Sequence, residues 1–156
     1  KIAGTLKVSA LDVPTERLPL THTCYRAGSS PALAWTGAPS GTKSFVVLFE
    51  KDETQADNVL HWALYDIPAT AQGLPAAIPA GPALTGGMMQ AQSDIGQPGY
   101  IGPCEPKGRF MYQFRVFALD SKTDLAPGVD KNALYNAMNG HILDMAILPI
   151  VHYYKL

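Results

Sequence analysis

The sequence predicts a mainly β domain, and three observations carry that prediction. Apolar residues gather in short runs, either alternating with polar ones or unbroken over six or seven positions, as strands do. The 156 residues include 14 Gly and 13 Pro, so turns interrupt the chain at intervals too short for a helical bundle. A helical period appears only near the C-terminus. The length suits one domain with its own core, and neither an internal repeat nor a linker divides residues 1–156.

Leu6–Leu11 alternates and reads as a first strand. Leu18–Thr23 is a second candidate, placed at an edge because Pro19 cannot donate to a ladder. Ala32–Trp35 is a short strand between the loop Gly28–Pro31 and the turn Thr36–Pro39. Ser44–Glu50 is the clearest strand, an apolar run rich in β-branched and aromatic residues, and Val59–Ile67 follows it. Thr70–Tyr100 is a long Gly-, Pro- and Ala-rich excursion without period. Phe110–Leu119 alternates, with Tyr112, Phe114 and Val116 on one face. Beyond it Asp130 is a candidate N-cap, and Leu134, Ala137, Met138, His141, Met145 and Leu148 follow at helical steps, with Gly140 as a kink or a break between two helices. Ile150–Tyr154 reads as a last strand.

The composition excludes several function classes. A net charge of −1 leaves no basic excess for a nucleic-acid backbone. No apolar run approaches the length of a membrane span. Gly-x-Ser-x-Gly, Gly-x-Gly-x-x-Gly, the P-loop and His-Glu-x-x-His are all absent, as is any close Cys/His spacing for zinc. Neither a metal nor another cofactor is expected. Cys24 and Cys104 lie far apart, and the sequence alone leaves their pairing open.

Four features bear on chemistry. His61-Trp62 places an imidazole inside an apolar strand, where a packed histidine is the commoner role. Glu50 and Asp52 stand two apart at the end of the strongest strand and would share one face. Asp94–Gly108 is dense in Pro and Gly and would form a shaped loop whose exposed amides can cradle an anion. His141 and Asp144 are one helical turn apart and would pair.

Taken in order, Ser30-Pro31-Ala-Leu-Ala-Trp35, Phe45–Glu50, His61-Trp62 with Tyr65-Asp-Ile-Pro68, the loop Gly99-Tyr-Ile-Gly-Pro-Cys-Glu-Pro106, Tyr112–Asp120 and Leu134-x-x-Ala137-x-x-x-His141 resemble the phosphatidylethanolamine-binding protein family in its bacterial, Raf kinase inhibitor-like branch. The resemblance covers nearly the whole chain. It implies an antiparallel β-sandwich, a large sheet packed on a smaller one, with C-terminal helices. It also implies a small pocket for a phosphate, an acetate or a phosphoryl headgroup. Carried over by position, the pocket residues are Glu50, Asp52, His61, Pro98, Gly99, Tyr100, Gly102, Pro103 and Tyr112. Set between carboxylates, His61 is expected to carry charge near neutral pH and to donate to the ligand. Cys24 and Cys104 fall in segments that border this pocket, which makes a disulfide plausible and an exported protein with it.

The chain departs from the family pattern in three places. Glu50-Lys-Asp-Glu-Thr54 replaces Asp-Pro-Asp-Ala-Pro, Tyr25-Arg-Ala-Gly28 replaces Asp-Gly-x-Asn, and the family's second pocket histidine falls on Phe110. The expectation is a non-enzymatic binding protein for a small anionic or phosphoryl ligand. The alternatives are a regulator that docks a protein partner and, below it, a hydrolase using Cys104 or His61. A periplasmic or secreted location is expected from the plausible disulfide, the low charge and the start at Lys1 rather than Met, with a cytoplasmic one as the alternative. The oligomeric state is open, a homodimer included.

Overall fold

A computed structural model describes residues 2–53 and 57–154. Among the described residues, eight strands form two antiparallel sheets. The smaller holds β1 (Lys7–Ala10), β2 (Leu33–Thr36) and β5 (Gly73–Leu74), in the order β1-β2-β5. The larger holds β3 (Ser44–Lys51), β4 (Val59–Pro68), β6 (Met89–Gln90), β7 (Gly108–Leu119) and β8 (Ile142–Tyr154), in the order β6-β4-β3-β7-β8. One α-helix, α1 (Lys131–Met138), lies beside the larger sheet.

β3 is central and buried on both faces, which is why its apolar run is unbroken. Phe45, Val47 and Phe49 enter the core between the sheets, with Leu33 and Trp35 of β2 and Tyr112, Phe114 and Val116 of β7. Val46 and Leu48 enter a second core, closed by Leu134 and Met138 of α1.

The C-terminal region corrects the expected helices. Asp130 does cap α1, its carboxylate accepting the Ala133 N–H at 2.9 Å. The helix then ends at Met138, Gly140 takes φ +84° in the turn, and β8 begins at Ile142. Met145 and Leu148 are one helical step apart, yet in the strand they fall on opposite faces and pack against different cores. Twelve register pairs with β7 and the missing N–H of Pro149 decide for the strand. The expected His141–Asp144 pair is therefore absent: His141 Nδ1 meets Asp120 at 2.7 Å. Leu18–Thr23 is not an edge strand either. The Leu18 N–H reaches the Val151 carbonyl, and beyond Pro19 the chain turns through a 3-10 helix, Leu20–His22.

The long excursion is organised by one buried amide. Gln90 donates through Nε2 to the carbonyls of Pro79 and Gly81 and accepts the Trp62 indole N–H at 2.6 Å. Asp144 is the matching anchor for the N-terminal segment. Its fully buried carboxylate accepts the N–H groups of Gly4, Thr5, Leu6 and Met145 at 2.7–2.9 Å. Replacing a buried charged acceptor strands its donors, so Asp144→Ala should cost about 3 kcal/mol. Urea unfolding at neutral pH checks this, and an unchanged midpoint would refute the anchoring role.

Candidate functional site

The expected site residues divide according to which face of the large sheet they occupy. β3 and β4 pair Phe49 with Trp62 but Glu50 with Leu60, which leaves His61 as the extra residue of a β-bulge. The bulge turns neighbouring residues toward the same side. Trp62 packs into the core between the sheets, while the His61 ring lies edge-on to Phe49 and Tyr112. Glu50 falls on the opposite face. It is buried there, bound bidentately by Arg115 at 2.7 and 2.9 Å and by Gln113 at 3.1 Å. Asp52 is exposed beyond the strand end, and its N–H bonds the Met111 carbonyl. Neither carboxylate joins His61, and Thr54 of the same segment lies outside the described residues.

The carboxylate beside His61 and Tyr112 is instead Glu105, in the loop Pro103–Pro106. The Tyr112 hydroxyl donates to it at 2.8 and 3.0 Å, and Lys51 Nζ approaches to 3.1 Å. Lys51 occupies the strand position between the two expected acids and follows the alternation set by Phe49. It also contacts Glu53 at 3.3 Å and lies over the Phe110 ring. His152, cross-strand from Phe110 on β8, is completely buried. Its Nε2 faces the Glu105 carbonyl at 3.3 Å and the carboxylate at 3.8 Å, and its Nδ1 has no hydrogen-bond partner among the described residues. An imidazole thus stands one strand away from the position where Phe110 replaces the family's second histidine. Glu105 and His152 were not expected from sequence, and Lys51 stood out there only as a departure from the family pattern. The available signals were a lone histidine in the apolar run Ile150–Tyr154 and a lone acid between Cys104 and Pro106.

The protonation states follow from the contacts. The Ile101 carbonyl can only accept, so at 2.7 Å His61 Nδ1 is the donor and Nε2 is left bare. Burial pushes the His61 pKa below its usual value, against the opposing pull of the Ile101 bond and Glu105. His61 is therefore a neutral acceptor, which corrects the expected cation. Burial, and then Glu105, push the Tyr112 phenol well above its usual range and keep it a donor. For Glu105 burial acts upward, but the bonds from Tyr112 and Lys51 outweigh it and the pKa is lowered. For Lys51 burial acts downward and Glu105 reverses it, so the ammonium persists.

The expected loop residues shape the site's wall. Tyr100 stacks on Phe49, meets Trp62 edge-on, and donates its hydroxyl to the His22 carbonyl at 2.7 Å. Gly102 lies so close to His22 that a Cβ would come within 2.2 Å of its carbonyl oxygen. The Pro98 carbonyl accepts the Gly81 N–H, and buried Gly99 has φ +141°. The Pro103 carbonyl accepts the Cys24 N–H at 3.1 Å. Cys24 and Cys104 are joined by a disulfide, with their Cα atoms 5.3 Å apart, and the Tyr25 hydroxyl bonds the Glu105 carbonyl at 2.8 Å.

These shifts give a pH prediction. The unfolded chain protonates His61 near its ordinary 6.5 while the fold resists it, so this stabilisation is complete above that value and lost as pH falls below it. The Glu105 contribution is complete above its ordinary 4.5 and lost at lower pH still. Urea midpoints measured against pH should fall in both windows, the upper step shrinking in His61→Gln and the lower one shrinking in Glu105→Gln to what Asp144 still contributes. Identical profiles for all three proteins would contradict the assignment.

Similarity to known proteins runs along the chain. The family model for phosphatidylethanolamine-binding protein matches residues 9–153. The UPF0098 protein of Methanothermobacter thermautotrophicus is 37% identical over 132 residues, covering 85% of this chain and 87% of its own. The UPF0098 protein YbcL of Escherichia coli is 37% identical over 153 residues, 91% of this chain and 81% of YbcL. The crystal structure of YbcL, described as a new member of the mammalian PEBP family, superposes with a TM-score of 0.85 at 30% identity, covering 97% of this chain and 99% of that one. With this fold and these matches, the chain belongs to the phosphatidylethanolamine-binding protein family.

Proposed function

We propose that the protein is a non-enzymatic receptor for a small oxyanion, a carboxylate or a phosphoryl group, at the end of the sandwich where His61 and Tyr112 meet. The observation that carries this reading is the convergence of a phenol and an ammonium, from β7 and β3, on one carboxylate, with the His152 imidazole of β8 beside it. Such charge-assisted donors hold an oxyanion more strongly than neutral ones do. The bare Nε2 of His61 adds an acceptor, which favours an anion that still carries a proton, such as hydrogen phosphate or a phosphomonoester monoanion. Against a thiol hydrolase stands the disulfide, which leaves Cys104 without a thiolate. The same bond supports an oxidising compartment, periplasmic or extracellular.

Inorganic phosphate and acetate, titrated and followed by amide NMR, test the receptor. Saturable shifts are expected at His61 and Ile101–Glu105, and His61→Ala should weaken phosphate binding about tenfold, the loss of one hydrogen bond to a charged group. The absence of saturable shifts in any variant would end this reading. For the compartment, mass spectrometry of the protein from its native source should show the gain of two hydrogen atoms on reduction. A protein recovered already reduced would argue for the cytoplasm.

A further inference from the structure

We infer that the receptor is self-occupied: the Glu105 carboxylate sits in the seat of the external oxyanion and must leave before one binds. This inference rests on the proposed receptor function and adds its regulation.

Three features separate Glu105 from an ordinary structural ion pair. First, the donors belong to the rigid sheet, whereas the acceptor belongs to a loop. The donors Lys51 and Tyr112 stand on β3 and β7, His152 lies beside them on β8, and Glu105 reaches them from the segment between Pro103 and Pro106. Second, the seat's hydrogen-bonding capacity exceeds what Glu105 uses. His61 Nε2, on the ring that meets Tyr112 edge-on, makes no hydrogen bond among the described residues and is left for a ligand that carries a proton. Third, the charges close without a ligand. Lys51 is shared between Glu105 and Glu53, so an incoming anion finds the ammonium already neutralised and meets a fixed negative charge.

The loop is built to keep the carboxylate in place. Cys104 ties it to Cys24, and Tyr25, stacked on Tyr154 at 3.8 Å, bonds the Glu105 carbonyl. A tethered occupant competes at a high effective concentration, and restricting its tether raises that concentration. Removing the carboxylate, and leaving its donors in the sheet, should therefore raise affinity for an external oxyanion.

The test titrates inorganic phosphate into the wild type, Glu105→Ala and Glu105→Gln, with Tyr112→Phe placed in both the wild-type and Glu105→Ala backgrounds. Glu105→Ala should bind phosphate at least about tenfold more tightly than the wild type, and Glu105→Gln, which keeps the shape but not the charge, should also gain. Tyr112→Phe should cost about tenfold in the Glu105→Ala background, where only phosphate uses the phenol, yet change the wild type little, because it weakens both competitors. Phosphate binding equal in wild type and both Glu105 variants would overturn self-occupancy and leave the receptor standing. Binding in none of them would overturn the receptor itself. Should Glu105→Ala fail to fold, Glu105→Gln alone decides, since a loss of affinity on removing the negative charge contradicts competition.

Discussion

Burial of β3 on both faces is the constraint from which the rest of the structure follows. A strand with a core on each side must end its apolar run where it leaves the sheet, and its last two side chains then face opposite layers. Glu50 goes to the α1 side and is neutralised in place by Arg115 and Gln113. Lys51 goes to the other side and emerges beside Tyr112, its register partner on β7. One strand end thus delivers a balanced ion pair to one face and a cation to the other. The bulge on β4 brings His61 to the same mouth without displacing Trp62 from the core.

The electrostatics of that mouth differ from those of an open anion pocket. The cation is matched by loop and strand-end carboxylates, and the histidine is kept neutral by burial. A site organised in this way discriminates by exchange: a ligand is favoured only if it satisfies the seat better than the resident group does. The polar group that Glu105 leaves unsatisfied, the bare ring nitrogen of His61, is where a proton-bearing ligand would gain over it.

Much of the fold was legible in the residues. Ser44–Glu50, Val59–Ile67 and Phe110–Leu119 are strands because burial on one or both faces writes itself into local pattern. The stretch after Gly140 was not, since Met145 and Leu148 keep a helical spacing on a strand with a core on each face, and only pairing with β7 reveals it. The family resemblance located His61 and Tyr112, but it assigned Glu50 to their group. Which face Glu50 takes depends on strand register against β4 and β7, a relation between segments distant in sequence. Glu105 was hidden for a related reason: its orientation follows from the Cys24 tie and the Tyr25 bond, neither of which is local.

The Asp144 anchor has a consequence at the opposite end of the domain. Its bonds join residues 138 to 140 positions apart, so they close nearly the longest loop the chain can make. Gly4 and Thr5 lie outside the strands, and their attachment to the sheet is in large part a carboxylate rather than a ladder. Burial raises that carboxyl's pKa, yet the four amides outweigh it and hold the group below its usual range. Contacts of such span are made once the sheet exists to present the acceptor, and protonating a single side chain undoes several at once. The N-terminal segment is thereby strapped to the sheet through one titratable group, whose protonation weakens the hold on Gly4, Thr5 and Leu6 together.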